Sequence, residues 1–316
     1  MKQTELPPNA KWTGPNNAGV RAPDPIVLAD PTRRFAATAQ RLQGLAAGHP
    51  MDAWLRFMAE LAQAQHTVAT TLAPAAALSP GVVVQAVEAR LPPLAADGHR
   101  REATWRDGLA ALLDHIDSSE LPPAALEAME QLRRRDAATL DKLADHFLRG
   151  GLTAADAGVA VFVAAALQVY FTCSAARLKV EDLRLLEERA LCPCCGSPSV
   201  AGVITASGVT PGVRYLYCSL CSTAWNHVRT VCITCGGTRR LSLQGIEGDP
   251  GVVKAETCGD CHTYAKLLYQ LQDMQADPYA DDLASLGLDI LVTEAGFSRH
   301  APNPLLLVGD SEAVAG

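Results

Sequence analysis

Residues 192–196 read Cys-Pro-Cys-Cys-Gly, and residues 232–236, forty positions later, read Cys-Ile-Thr-Cys-Gly. Each stretch holds a CxxC pair followed by glycine. A second CxxC pair follows each of them: Cys218 and Cys221 in the first case, Cys258 and Cys261 in the second. Every cysteine of the first two pairs therefore recurs 40 residues later in the chain. This recurrence predicts a tandem duplication of one small unit.

The spacing of the paired cysteines suits tetrahedral binding of metal ions. A CxxC turn brings two thiolates to one ion, and two such turns complete a site of four sulfurs. The 22 residues between the two pairs of each unit form two short strand-like runs around a Gly/Pro-containing turn, which predicts a β-ribbon with a metal at one end. We assign one ion to each of two ligand sets: Cys192, Cys195, Cys218 and Cys221; and Cys232, Cys235, Cys258 and Cys261. An interleaved arrangement, in which the first CxxC shares an ion with the third, also supplies four thiolates per ion and stays open.

Other residues near the pairs are predicted to have structural roles. Cys194 falls at the repeat position of Thr234 and is therefore the spare thiol of its stretch. Cys173 lies in a helical run, where a free cysteine is usually a small buried residue. His227 and His262 are predicted not to be ligands, because four thiolates already complete each tetrahedron.

Composition and charge restrict the class of protein. The chain has 316 residues, 48% of them hydrophobic, and a net charge of −7. Residues 272–316 hold one basic and eight acidic residues, and residues 192–271 hold six basic and four acidic ones. Neither segment has enough positive charge for a strong nucleic-acid-binding surface. We find no nucleophile and base in motif spacing and no phosphate loop, so an enzyme is not predicted.

The N-terminal residues bear on localisation. No apolar stretch follows the lysines of residues 1–19, so a secretory signal is not predicted and the protein is expected in the cytoplasm. Disulfides are rare there, and haem attachment at the CxxCH stretch ending in His262 would require export. Residues 157–171 form an apolar run of 15 residues, shorter than the roughly 20 needed to cross a bilayer. We predict a buried helix at this position and no membrane span.

The chain before residue 191 has the period of helices. The first helix begins with Asp30-Pro-Thr, a capping residue followed by a proline. Residues 73–94 are predicted to form a connection that contains one short helix. The predicted helical segments are 30–48, 50–73, 102–117, 123–134, 136–148 and 153–190, with a last helix near 281–294.

The order of these parts resembles the FdhE family of formate dehydrogenase accessory proteins. The resemblance rests on the cysteine intervals and on three stretches: RYLYCSLCSTAWNHVR, KAETCGDCHTYAKLLYQ and the segment from DDLASLGLDIL to NPLLL. It implies an α+β fold, with an N-terminal all-α helical bundle, two tandem rubredoxin-like (zinc-ribbon-like) β modules and a C-terminal helix. It also favours iron over zinc for the two metal ions per chain, which the ligand set alone does not distinguish.

The chain is accordingly divided into a flexible N-terminal arm (residues 1–29), a helical bundle (30–190), a first metal module (191–231), a second metal module (232–271) and a C-terminal helix with tail (272–316). The resemblance implies a role in maturation of respiratory formate dehydrogenase, by binding the immature catalytic subunit in the cytoplasm. The alternative is a rubredoxin-like electron carrier acting on that subunit, and the third choice is a zinc-ribbon nucleic-acid-binding module. Whether the chain forms a homodimer stays open.

Overall fold

The structure is a computed structural model that describes residues 22–119, 121–151, 156–207 and 210–306. A helical domain is followed by a continuous β-sheet and a short helical segment. The helices are α1 Pro31–Ala46, α2 Asp52–Thr71, α3 Pro80–Glu88, α4 Thr104–His115, α5 Pro123–Arg134, α6 Ala137–Leu148, α7 Ala157–Ala175, α8 Ala280–Ala284 and α9 Leu286–Glu294. The strands are β1 Ile26–Val27, β2 Ser199–Ile204, β3 Arg214–Cys218, β4 Ala224–His227, β5 Leu241–Gln244, β6 Val253–Cys258, β7 Thr263–Tyr269 and β8 Ser298–Arg299.

Helix α7 is the centre of the helical domain. Fifteen of its nineteen residues are buried, and α1, α2, α4, α5 and α6 all pack against it. By length and composition it could cross a membrane, but burial on all sides is the environment of a core helix. The prediction of a buried helix over residues 157–171 is therefore confirmed. The short helix predicted within residues 73–94 is also present, as α3.

One helix prediction is wrong at its C-terminal end, and another misses a break inside the helix. The segment predicted over 153–190 ends at Ala175. The chain beyond it forms a short 3₁₀ helix at Val180–Asp182 and then an irregular backbone, in which Leu183 and Ala190 are buried. Residues 153–155 lie outside the described residues. The last predicted helix is two helices with a break at Ser285. At the break, the carbonyl oxygens of Asp282 and Ser285 accept backbone amides three residues on, and both also accept hydrogen bonds from Lys266 Nζ (2.8 and 3.2 Å), which stabilise this tighter turn.

The strands of the two metal modules form one sheet in the order β1-β4-β3-β2-β7-β6-β5, with β8 beside β7. Parallel pairing of β2 with β7, from Gly202 opposite Leu267 to Ile204 opposite Tyr269, joins the first module to the second. Gly202 leaves room for the buried side chain of Leu267, whose Cδ2 would lie 2.7 Å from a Cβ at this position. The modules are therefore halves of one β-structure that packs against the helical domain.

The residues before α1 also belong to the sheet. Ile26 and Val27, assigned from the sequence to a flexible arm over residues 1–29, form β1 and pair with Trp225 and Ala224. Ile26 is buried, and burial of its apolar side chain stabilises the pairing of this short strand with β4. The part of the predicted arm before residue 22 lies outside the described residues.

Candidate metal centres

The structure brings the eight paired cysteines into two groups. The Sγ atoms within each group all lie within 4.8 Å of one another. The first cysteine group is Cys192, Cys195, Cys218 and Cys221; the second cysteine group is Cys232, Cys235, Cys258 and Cys261. This is the tandem grouping, and the interleaved arrangement is not formed. Each group lies where two CxxC turns of one module meet, so each could hold one metal ion.

Sulfur spacing tests the fit of such an ion. Four sulfurs about 2.3 Å from a central ion lie ~3.8 Å apart in a regular tetrahedron. In the second group the distances are 3.7 Å between Cys232 Sγ and Cys261 Sγ and 3.8 Å between Cys235 Sγ and Cys258 Sγ. The corresponding distances in the first group are both 3.4 Å, so an ion there would move the paired sulfurs apart by ~0.4 Å. Both groups therefore suit a tetrahedral ion of this size.

The backbone at the two groups is duplicated as well. Gly196 and Gly236, which follow the first CxxC of each module, have positive φ angles of 76° and 72°. Ser222 and His262, which follow the second, have φ angles of 59° and 54°. At the first group, the amides of Leu220 and Cys221 point at Cys218 Sγ, each at 3.3 Å. Donors of this kind stabilise thiolates, the form that binds metal.

Each group has one threonine hydroxyl next to the sulfur of its last cysteine. These contacts were not predicted from the sequence. Thr223 Oγ1 lies 3.2 Å from Cys221 Sγ, and Thr263 Oγ1 lies 3.1 Å from Cys261 Sγ. Their recurrence forty residues apart was the signal that could have identified them. In the second module, Thr263 Oγ1 also donates a hydrogen bond to Thr234 Oγ1 (2.8 Å).

The two histidines named from the sequence lie outside both groups. His262 is exposed and stacks on Phe297, with ring centroids 6.0 Å apart. His227 is buried and lies with Nδ1 2.7 Å from Arg214 Nη2. Burial and the neighbouring Arg214 guanidinium lower the pKa of His227 to about 4, so its ring is neutral near neutral pH. Neither ring is placed to replace a thiolate.

The two remaining cysteines, Cys194 and Cys173, are not members of either group. Cys194 is fully buried beside the first group, and its carbonyl oxygen accepts a hydrogen bond from the Leu94 amide at 2.8 Å. Cys173 lies on α7, where burial raises the pKa of its thiol to about 11. Such a thiol stays protonated near neutral pH and behaves as a small apolar side chain, although Cys173 is half-buried where the sequence predicts a buried residue.

Burial makes four thiolates at the first group unfavourable unless a cation is bound. Its four cysteines are at most 1% exposed. Burial raises the pKa of Cys192 and of Cys218 well above the usual range of a thiol. Four thiolates could not remain together there without a compensating positive charge, and a divalent or trivalent ion supplies it.

The main cleft described on the helical domain is apolar. It has a volume of about 1140 Å³ and lies between α2, α5, α7 and the C-terminal segment. Trp54, Phe57, Phe162, Leu305 and Leu306 are among the residues that line it. Its described lining contains no histidine, cysteine, serine, lysine or tyrosine. Its mostly apolar surface is suited to apolar contact, and its charged lining residues are Asp52, Arg56, Glu60 and Asp117.

Known proteins resemble this chain over the helical domain and over both metal modules. Family models described as "FdhE, N-terminal", "FdhE, central domain" and "FdhE, C-terminal domain" match residues 23–187, 191–229 and 230–306. A relative from Stutzerimonas stutzeri strain A1501, called "Protein FdhE homolog", is 37% identical over 90% of this chain and 93% of its own length. A relative of the same description from Edwardsiella ictaluri strain 93-146 is 38% identical over 90% and 92%.

A solved structure shows the same arrangement. "The crystal structure of the FdhE protein from Pseudomonas aeruginosa" superimposes with a TM-score of 0.82 at 36% sequence identity, over 90% of this chain and 99% of that one. The predicted α+β fold, with a helical domain, two four-cysteine knuckle modules and C-terminal helices, is confirmed. Because the three family models, the relatives and this structure all extend over nearly the whole chain, the protein belongs to the FdhE family.

Proposed function

We propose that the protein is an accessory factor for maturation of respiratory formate dehydrogenase, and that it binds the immature catalytic subunit in the cytoplasm. The observation that carries this proposal is membership of the FdhE family over the helical domain and both modules together. A family relationship confined to the cysteine modules would support only a metal ribbon. A relationship over the whole chain supports a shared role for the helical domain and the modules.

The metal ions would act as cross-links in this role. We propose that the eight cysteines of the two groups are the ligands and that the ions are iron. Each ion would join the two CxxC turns of one module, which has about 40 residues and little core of its own, so binding would supply much of its folding free energy. A tetrahedral ion with four thiolates has no open position, which favours a structural or electron-transfer role over Lewis-acid catalysis.

Action by binding rather than catalysis is supported by the helical domain. The apolar cleft near Trp54 and Phe162 offers a surface for apolar side chains of another protein. The proposed role is binding of another protein, and no reaction is assigned to the chain.

The electron carrier is the second candidate, and one observation favours it. Cys235 of the second cysteine group is exposed, so an iron ion there would be close to the surface, where electron transfer to another protein is feasible. The nucleic-acid module is not favoured. Arg214 and Lys266, two of the six basic residues of the modules, have fully buried side chains and cannot contact phosphates.

Co-purification of the tagged protein with the formate dehydrogenase catalytic subunit tests the proposal. Serine replacements of Cys232 and Cys235 should halve the metal content and preserve most helical circular dichroism. They should also lower both recovery of the subunit and formate dehydrogenase activity in cells. Cys173→Ser is the matched control and should change none of these. Full recovery and full activity with the metal-depleted variant would refute the role of the modules, and failure of the unaltered protein to recover the subunit would refute the binding role.

A further inference from the structure

The two cysteine groups differ in their access to solvent. Cys192, Cys218 and Cys221 of the first group are 0% exposed, and Cys195 is 1% exposed. In the second group, Cys235 is exposed and Cys261 is partly exposed. The groups share ligand type, spacing and backbone conformation, so what distinguishes them is the structure that covers them.

The first cysteine group is covered on both of its turns. The amides of Leu94 and Ala96, from the loop after α3, donate hydrogen bonds of 2.8 Å to the carbonyl oxygens of Cys194 and Cys195. On the other turn, Gln168 Nε2 of α7 donates to the Ser219 carbonyl oxygen at 2.8 Å, and the Tyr279 hydroxyl donates to the Cys218 carbonyl oxygen at 3.1 Å. A ligand could reach these sulfurs only after the helical domain or the C-terminal segment had moved away.

The second cysteine group is covered on one side only. The C-terminal segment packs near Cys261, where His300 Nδ1 lies 2.8 Å from Thr234 Oγ1 and the Ser298 amide donates to the His262 carbonyl oxygen at 2.9 Å. On the other side, Cys235 is followed by Gly236 and Gly237. A Cβ on Gly237 would lie 3.3 Å from Cys235 Sγ, so the missing side chain keeps this sulfur open.

An ion pair between Asp260 and Arg240 lies next to this opening. Asp260 Oδ2 would lie 3.1 Å from a Cβ on Gly237, and Arg240 Nη1 is 3.8 Å from Asp260 Oδ1. The Arg240 side chain is 67% exposed and extends over Gly259 of the second CxxC turn. Because this ion pair is long and its arginine is exposed, an anionic ligand approaching Cys235 could pair with the guanidinium in place of Asp260.

We propose that the second cysteine group is a ligand-exchange site for small anionic thiols, and that the first is a closed structural centre. This inference rests on the proposed metal ligation by the eight cysteines. In the exchange, the incoming thiolate forms a sulfur–metal bond as the bond between the metal and Cys235 Sγ breaks. Cys235 leaves as a thiolate, and the ion keeps four sulfur ligands, its charge and its oxidation state.

The test uses the full chain loaded with Zn²⁺, with glutathione as the anionic thiol and a chromogenic chelator to report released metal. Two equivalents are measured before the reaction begins. One equivalent should then leave at least about tenfold faster than the other, because release from the first group requires local opening of the fold. Replacing both Cys258 and Cys261 by serine should remove the fast equivalent and keep the slow one. Alkylation followed by mass spectrometry should modify Cys235 before any cysteine of the first group.

Arg240→Gln tests the choice of thiol without altering a ligand. It should slow release by glutathione severalfold and leave release by uncharged 2-mercaptoethanol unchanged, with Arg239→Gln as the control. Equal release of the two equivalents, or earlier release from the first group, would overturn the exchange site. An equal effect of Arg240→Gln on both thiols would overturn its preference for anions. Fewer than two ions at the start would instead overturn the ligand assignment on which the inference rests.

Discussion

Replacement of Arg214 by methionine tests how the two modules are held together. Arg214 begins β3 of the first module and has a fully buried side chain. Its guanidinium donates hydrogen bonds to Glu256 Oε1 on β6 of the second module (2.7 Å) and to the Val231 carbonyl oxygen in the linker (2.6 Å). It also contacts the Val228 carbonyl oxygen. Methionine keeps most of the aliphatic volume and removes every donor.

The expected loss follows from the groups left without a partner. Breaking a buried ion pair by removing one partner costs about 3–5 kcal/mol, and an orphaned buried acceptor costs about 1–3 kcal/mol. Glu256 is 9% exposed, and burial already raises the pKa of its carboxyl group, so protonation or partial hydration will relieve some of this cost. We therefore expect a net loss of about 3 kcal/mol, which corresponds to a decrease in Tm of roughly 6–12 °C.

The assay is thermal and urea unfolding of Arg214→Met, Glu256→Gln and the double variant, with Arg239→Met as a control at an exposed arginine. The double variant should recover about 1–3 kcal/mol relative to the sum of the single changes, because the uncompensated carboxylate is then absent. A loss for Arg214→Met no larger than that for Arg239→Met would refute the role of this contact. Additive effects of the two single changes would show that Arg214 and Glu256 do not stabilise each other.

Three further changes test separate features. Gly202→Ala should destabilise the protein by about 1–3 kcal/mol in urea unfolding, because its Cβ would lie 2.7 Å from Leu267 Cδ2. Gly44→Ala, with open space around it, is the control. Equal stability of the two variants would contradict the close contact between position 202 and Leu267. His227→Gln should flatten the dependence of stability on pH. The pKa of His227 in the folded protein, about 4, lies below its ordinary value of 6.5. The wild-type protein therefore loses stability as the pH falls from 6.5 to 4, by on the order of 1–2 kcal/mol after solvent screening. An unchanged slope would count against a buried neutral ring. Cys194→Ser should keep two metal equivalents by elemental analysis, and loss of one would contradict the ligand grouping.

The cysteine grouping could be predicted from the sequence, because the ligands of each group are close in the chain and recur at a fixed interval. The join between the modules could not, since parallel pairing of β2 with β7 depends on contacts far apart in sequence. Arg214 and Lys254 occupy equivalent repeat positions, yet Arg214 is buried and Lys254 lies over the ring of Tyr269 at 5.5 Å. The break at Ser285 was missed for the same reason, because Lys266, whose ammonium group binds the carbonyl oxygens at the break, lies on another element.

The pairing of β2 with β7 has a consequence for how the chain leaves the ribosome. Strand β2, with the sequence SVAGVI, has no charged residue, and all six of its residues are buried. Strand β3 follows within a few residues, but β7 begins only at Thr263, so one edge of β2 has no native partner while the intervening chain is made. An uncharged, unpaired edge can pair with other chains. The nascent protein therefore passes through a period of synthesis in which self-association competes with folding, and that period ends only when the second half of the duplication has emerged.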